Sequence, residues 1–132
     1  MSVPYTILYI EDNVSNIVVV QRVIDSMGYQ LLVAKTGQTG LELTANEKPD
    51  MILLDISLPD IDGLDIARQL RATPEQAHLP IIAVTASAMV GDRERCLDAG
   101  CNDYISKPFQ VQTLVEVIKR RMIQSDIGEE SA

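Results

Sequence analysis

Polar side chains with chemical potential stand where short apolar runs end. Glu11 and Asp12 follow residues 5–10, Asp55 follows 51–54, Thr85 follows 80–84, and Lys107 follows 103–106. One polar residue at the end of such a run is expected, because a loop must begin somewhere. Four ends carrying three acids, a hydroxyl and a lysine form a constellation. Three clustered carboxylates repel one another and would titrate high unless a cation intervenes. Oxygen-only donors with room for water and a phosphate oxygen suit Mg²⁺ better than zinc. An aspartate facing a divalent ion, with a hydroxyl and an ammonium beside it, fits phosphoryl transfer to a carboxylate. The metal and Lys107 would neutralise the phosphoryl oxygens, and Thr85 would donate a hydrogen bond to one of them.

For these groups to converge, the apolar runs must be neighbouring strands. Residues 51–54 form an apolar run short enough for a strand buried on both faces, and Pro59 and Gly63 then mark a loop before a helical pattern from about Leu64. Residues 14–27 are ambiguous, since Ile17-Val18-Val19-Val20 suits a strand on propensity alone. However, Ile17, Val20, Ile24 and Met27 recur at helical spacing, Asp12 or Asn13 can cap the start, and Gly28 sits where a helix ends. The rest alternates: a strand at 29–34, a helix at 39–46, a helix with Leu64, Ala67 and Leu70 on one face, a strand at 80–84, a helix within 88–99, and a strand at 103–106. A last helix, 111–122, carries Val111, Leu114, Val115, Ile118 and Met122 on one stripe. Five β-α pairs in strict alternation imply an α/β, flavodoxin-like, doubly wound (βα)5 fold with a five-stranded parallel sheet. In the strand order 2-1-3-4-5 the polar ends of strands one, three, four and five share one cleft.

Composition narrows the function classes. The chain has 132 residues, 46% of them hydrophobic, which suits one domain burying roughly two-thirds of its extended-chain surface. A formal net charge of −8 argues against non-specific binding to nucleic acid or anionic membranes. No apolar run is long enough to span a membrane and no signal peptide is visible, so a cytoplasmic location is expected. Cys96 and Cys101 are spaced C-x₄-C without further ligands and read as ordinary reduced thiols. His78 reads as a loop residue without a chemical role.

With Glu11-Asp12, Asp55 followed by Pro59 and Gly63, Thr85-Ala86, Tyr104 and Lys107-Pro108 in this order and spacing, the chain resembles a receiver domain of two-component response regulators in bacteria. The resemblance runs from about Thr6 to Met122. It makes residues 1–123 a receiver, and 124–132 a short polar tail expected to be disordered. The resemblance implies that Asp55 accepts a phosphoryl group from a histidine kinase or histidine phosphotransfer protein. It further implies that Glu11, Asp12, Asp55 and the Ser57 backbone carbonyl hold Mg²⁺, and that Thr85 and Tyr104 switch a protein-binding face made by the fourth helix, fifth strand and fifth helix. The stretch 77–108 is most similar to single-domain regulators of the DivK type and to receivers of hybrid kinases. A stand-alone signalling protein, rather than an enzyme, is expected; the kinase, the downstream protein target and any homodimer are not named by the sequence. Tyr9 departs from the family pattern, which favours a small aliphatic residue there, so its hydroxyl needs a partner. Ser57 and Ser87 occupy positions that resemble the family's tuning sites for phosphoryl lifetime.

Other readings compete at each position. Asp55 could cap the helix that follows, Glu11-Asp12 could cap the first helix, Thr85 could be a packing residue, and Lys107 a solvated charge. A cis Lys107–Pro108 bond would be inexpensive. At the level of function, the alternatives are an aspartyl-nucleophile phosphatase-like hydrolase, which would want an acid where Ser57 stands, a flavodoxin-like carrier, whose phosphate Glu11-Asp12 would repel, and a phosphate-independent pseudo-receiver.

Overall fold

The computed structural model describes residues 5–86 and 91–131, with side chains as far as Met122. In chain order the elements are β1 (Thr6–Ile10), α1 (Val14–Ser26), β2 (Gln30–Ala34), α2 (Gly37–Glu47), β3 (Met51–Asp55), α3 (Gly63–Ala72), β4 (Ile81–Thr85), α4 (Asp92–Asp98), β5 (Asp103–Ser106) and α5 (Val111–Ser131). The strands form one sheet in the order β2-β1-β3-β4-β5, and every pairing is parallel. This is the flavodoxin-like doubly wound architecture expected from the alternation of elements.

Alternate strand residues point to opposite faces, and two apolar layers follow from that. Leu8, Ile10, Ile52, Leu54, Ile81 and Ala83 meet Leu64, Ala67 and Leu70 of α3, Cys96 of α4 and, at its edge, Leu41 of α2. On the other face, Ile7, Tyr9, Leu53, Ile82, Val84 and Ile105 meet Val20 and Ile24 of α1 and Leu114 and Ile118 of α5. Every residue of β3 and β4 is buried, which is why these strands read as unbroken apolar runs.

The β-branched run in α1 is helical because Val20, Val23 and Ile24 cover the sheet while Asn13 caps the start, accepting from the Asn16 N–H at 3.0 Å. Packing of the amphipathic face outweighs propensity differences of less than about 1 kcal/mol per residue. The same helix leaves Val14, Val18 and Val19 at 61%, 44% and 43% exposure.

Some boundaries differ from expectation. In α5 the buried stripe is Leu114, Val117 and Ile118, while Val111 faces solvent. Helical backbone runs on to Ser131, so the polar stretch expected to be a disordered tail continues α5. No proline interrupts it, and Gly128 alone costs about 1 kcal/mol in a helix. Ser87 and the 88–90 portion of the expected fourth helix lie outside the described residues.

The turn after β3 depends on a glycine. A Cβ on Gly63 would lie 2.6 Å from both the Asp55 carbonyl oxygen and the Ile56 Cα, backbone atoms that cannot rotate away. The close approach is fixed by the Gly63 N–H donating to the Ile56 carbonyl at 3.0 Å. Gly63→Ala should therefore lower unfolding free energy by about 1–3 kcal/mol, as overpacked sites do. A urea titration checks this, and an unchanged midpoint would mean that the turn can relax.

Candidate functional site

Strand periodicity sets out the site. Glu11, Asp55 and Lys107 each come two residues after a side chain of the α1/α5 layer: Tyr9, Leu53 and Ile105. They therefore continue that face of the sheet beyond its carboxyl edge. Thr85 comes two residues after Ala83 and continues the opposite, α3/α4 face.

Glu11 is the hub. Its side chain is 1% exposed and its Oε1 lies 2.5 Å from the Lys107 Nζ. The same oxygen accepts from the Tyr9 hydroxyl at 3.0 Å and from the Asn16 Nδ2 at 3.0 Å, while Oε2 accepts from the Asp12 N–H at 3.1 Å. Lys107 also reaches the Asp55 Oδ2 at 3.5 Å, so it bridges two acids on different strands. The Lys107–Pro108 peptide is cis. Lys107 is thus neither solvated nor unpaired, and the Tyr9 hydroxyl has its partner in Glu11.

The Asp55 carboxylate caps nothing in the next helix. Its Oδ1 accepts from the Ser57 N–H at 3.0 Å; the cap of α3 is Asp62, which accepts from the Leu64 N–H at 2.9 Å. Likewise α1 is capped by Asn13, which leaves Glu11 and Asp12 to the cleft. The β3–α3 loop is tied down from outside the site: the Asp60 carboxylate accepts from the N–H groups of Gly37 (2.8 Å) and Gln38 (3.0 Å) at the start of α2. Sequence reasoning did not identify Asp60 or Asn16 as site supports. Asn16 carries a faint signal, a polar residue in the first turn on the side facing a strand end; Asp60 carries none, since its partners lie far back in the chain.

Glu11, Asp12 and Asp55 each bring a carboxylate oxygen to within 4.8 Å of the others. With Lys107 they amount to three negative charges and one positive, a surplus of two. Burial pushes the Asp55 carboxyl up, and the neighbouring Glu11 adds to the push, to about 6, against the pull of the Ser57 N–H and Lys107. Burial acts in the same direction on Glu11, but hydrogen bonds with Asp55, Lys107 and Tyr9 outweigh it and hold that carboxyl down at about 2. The crowded pair thus holds a proton to higher pH than an isolated carboxylate would. An all-oxygen donor set, surplus charge of −2, and an exposed Asp12 open to water fit a hard divalent cation such as Mg²⁺.

Thr85, 3% exposed, pairs in register with Ser106 of β5. It borders a cavity of about 200 Å³ shared with Ile56, Ser57, Leu64, Asp92, Arg95 and Cys96. Tyr104 pairs with Ala83 on the same face. Its ring is half-buried against the α3/α4 layer, with the hydroxyl 3.3 Å from the Ser106 Oγ. The structure thus brings Glu11, Asp12, Asp55 and Lys107 together, places Ser57 beside Asp55 and Thr85 along the cavity, and sets Tyr104 one step down the β4–β5 pair.

Comparison with known proteins identifies the family. The model of the response regulator receiver domain matches residues 7–119. The polar-differentiation response regulator DivK of Brucella anthropi is 40% identical over 116 residues, which cover 88% of this chain and 94% of DivK. Among solved structures, the receiver domain of the sensor histidine kinase PA1611 of Pseudomonas aeruginosa, crystallised with a magnesium ion in its active-site cleft, is 38% identical. It superposes with a TM-score of 0.82 over 89% of this chain and 97% of that one. The Saccharomyces cerevisiae Ssk1 receiver, solved in complex with the phosphotransfer protein Ypd1, is 28% identical with a TM-score of 0.80 over 89% of each chain. The chain belongs to the response regulator receiver domain family.

Proposed function

We propose that this protein is a receiver whose Asp55 accepts a phosphoryl group from a phosphohistidine on a kinase or phosphotransfer protein. The observation that carries this reading is the position of Asp55: buried, within reach of Lys107, and sharing a carboxylate cluster with Glu11 and Asp12. An Asp55 oxygen attacks phosphorus, the P–N bond breaks, and the imidazole leaves with the electron pair. Lys107, 3.5 Å from Asp55, meets a phosphoryl oxygen, and Thr85 donates to another from the cavity side. Glu11, Asp12, Asp55 and the Ser57 carbonyl hold Mg²⁺, which when bound offsets charge on the phosphoryl oxygens. The exposed α1 valines, Val14, Val18 and Val19, offer an apolar docking face to the donor protein. Free exchange of such a donor requires a shared compartment, so the reading includes a cytoplasmic location.

Incubation with acetyl phosphate and Mg²⁺ should add one phosphoryl group to the intact mass, and none with a chelator or in Asp55→Asn. Val18→Asp should keep that labelling yet lose transfer from a phosphorylated histidine domain. Labelling of Asp55→Asn at the wild-type rate would show that another residue is the acceptor.

Metal binding should depend on pH in a direction set by Asp55. Because its folded-state pKa of about 6 stands above its ordinary 3.8, its contribution to stability is full below about pH 4 and is lost as pH rises through about 6. Glu11 acts in reverse: held at about 2 against an ordinary 4.5, it contributes above about pH 4.5 and loses that as pH falls through about 2. Mg²⁺ must displace the Asp55 proton at low pH, so affinity should be about tenfold weaker at pH 5 than at pH 8. At a concentration of about a hundred times the pH 8 Kd, stabilisation should fall from about 2.7 to about 1.4 kcal/mol. Equal Mg²⁺-induced shifts in melting temperature at the two pH values would remove Asp55 from the ligand set.

For output, we take Thr85 and Tyr104 as the coupled pair. Thr85→Ala should still be phosphorylated but bind its protein target with little dependence on phosphate, and Tyr104→Ala should do the same. Full phosphate-dependent binding by both variants, measured by calorimetry, would place the switch elsewhere.

A further inference from the structure

Glu11 Oε1 holds more donors than a metal-binding oxygen can spare. It accepts from Tyr9, Asn16 and Lys107 at 3.0, 3.0 and 2.5 Å, whereas a carboxylate oxygen offers about two lone pairs. Oε2, which accepts from the Asp12 N–H, is left as the oxygen with capacity for a cation. The three donors differ in permanence. Lys107 also faces Asp55 and is the group a phosphoryl oxygen would attract. Tyr9 and Asn16 have no such alternative: Tyr9 is wholly buried in the α1/α5 layer, and Asn16 sits in the first turn of α1.

We infer that Tyr9 is a positioning residue which, with Asn16, anchors Glu11 Oε1 so that Oε2 stays presented to a divalent cation even when Lys107 moves to a phosphoryl group. This rests on the metal-site reading above and adds to it an outer partner on β1. Outer partners of ligating groups typically change metal affinity by about 10–100-fold when removed.

The test is calorimetric titration of the full chain with MgCl₂, together with near-ultraviolet tyrosine difference spectra. Tyr9→Phe keeps the ring and its packing and removes only the hydroxyl; its Mg²⁺ Kd should rise about tenfold. Asn16→Ala, altered at the helix surface, should weaken binding in the same direction, and it carries the test should Tyr9→Phe fold poorly. Tyr29→Phe, at the opposite end of the sheet, should bind as wild type. Mg²⁺ should produce a tyrosine difference spectrum in wild type and in Tyr29→Phe that is lost in Tyr9→Phe, which a purely structural role for Tyr9 would not cause. Wild-type Kd in both Tyr9→Phe and Asn16→Ala, or persistence of the difference spectrum in Tyr9→Phe, overturns the inference while leaving the metal site standing. Absence of Mg²⁺ binding by wild type overturns both.

Discussion

The ion pair between Lys107 and Glu11 is the constraint to which the rest of the molecule answers. With side-chain exposures of 15% and 1%, the two charges have given up most of their water, and a buried pair recovers that cost only if its remaining lone pairs and protons are satisfied. The surroundings supply those partners. Tyr9 comes from within the strand, Asn16 from the helix above it, and Asp55 from the neighbouring strand. Among the described residues no buried side-chain nitrogen or oxygen lacks a partner. Removing one member of such a pair typically costs about 3–5 kcal/mol, because the other charge is left stranded. The sheet must therefore hold β1, β3 and β5 in a fixed stagger, and the parallel registers do so.

Strand parity then divides the site between two layers. The acids and Lys107 continue the α1/α5 face, while Thr85 and Tyr104 lie on the α3/α4 face. A group attached to Asp55 at the sheet edge can touch both faces, since the edge is where they meet. On the proposed reading, the donor protein docks by α1 and the output surface lies around α4 and β5, so loading and readout use different sides of one sheet. No long pathway is required between them, because Asp55 and Val84, Thr85 and Ser106, and Ala83 and Tyr104 are neighbours in register.

This division explains what the sequence could and could not disclose. The doubly wound fold was legible because β3 and β4 are buried on both faces and end abruptly on Asp55 and Thr85. The acid cluster was legible because its members terminate strands, and strand ends are marked by a change of residue type. Properties that depend on which elements touch were not legible. Asp60 anchors the β3–α3 loop to the first turn of α2 through backbone donors, which leave no trace in side-chain pattern. Val111 has the spacing of a core residue yet is exposed, while Val117 is buried. Tyr104 is half-buried against the α3/α4 layer with its hydroxyl beside Ser106, contacts not visible before the strands are paired. Tyr9 lies between these cases: a phenol in a buried strand had to find a partner, but only the fold shows that the partner is Glu11.

On the proposed reading, the element best suited to respond is α4. It is a seven-residue helix that begins at Gly91 in the left-handed region (φ 94°) without a side-chain cap, shorter than a helix that could persist without tertiary support. Cys96 and, just past its end, Ala99 are its buried anchors, and the cavity beneath it is shared with Thr85. Its far end is held differently: Arg71 of α3 donates to the Gly100 carbonyl at 2.8 Å and to the Asn102 side chain at 2.7 Å, and Asn102 in turn receives the Ile81 N–H at 2.8 Å. One end of α4 is thus fastened to the start of β4, while Asp92, Arg95 and Cys96 line the cavity shared with Thr85. Taking a switch from about 1% to 99% requires about 5.5 kcal/mol of preference for one state. A charge-assisted hydrogen bond to Thr85 supplies about 1.5–3 of that. Lys107 can add to it only if Glu11 stays in place as the lysine shifts, which on the inference above is the role of the hydrogen bonds from Tyr9 and Asn16.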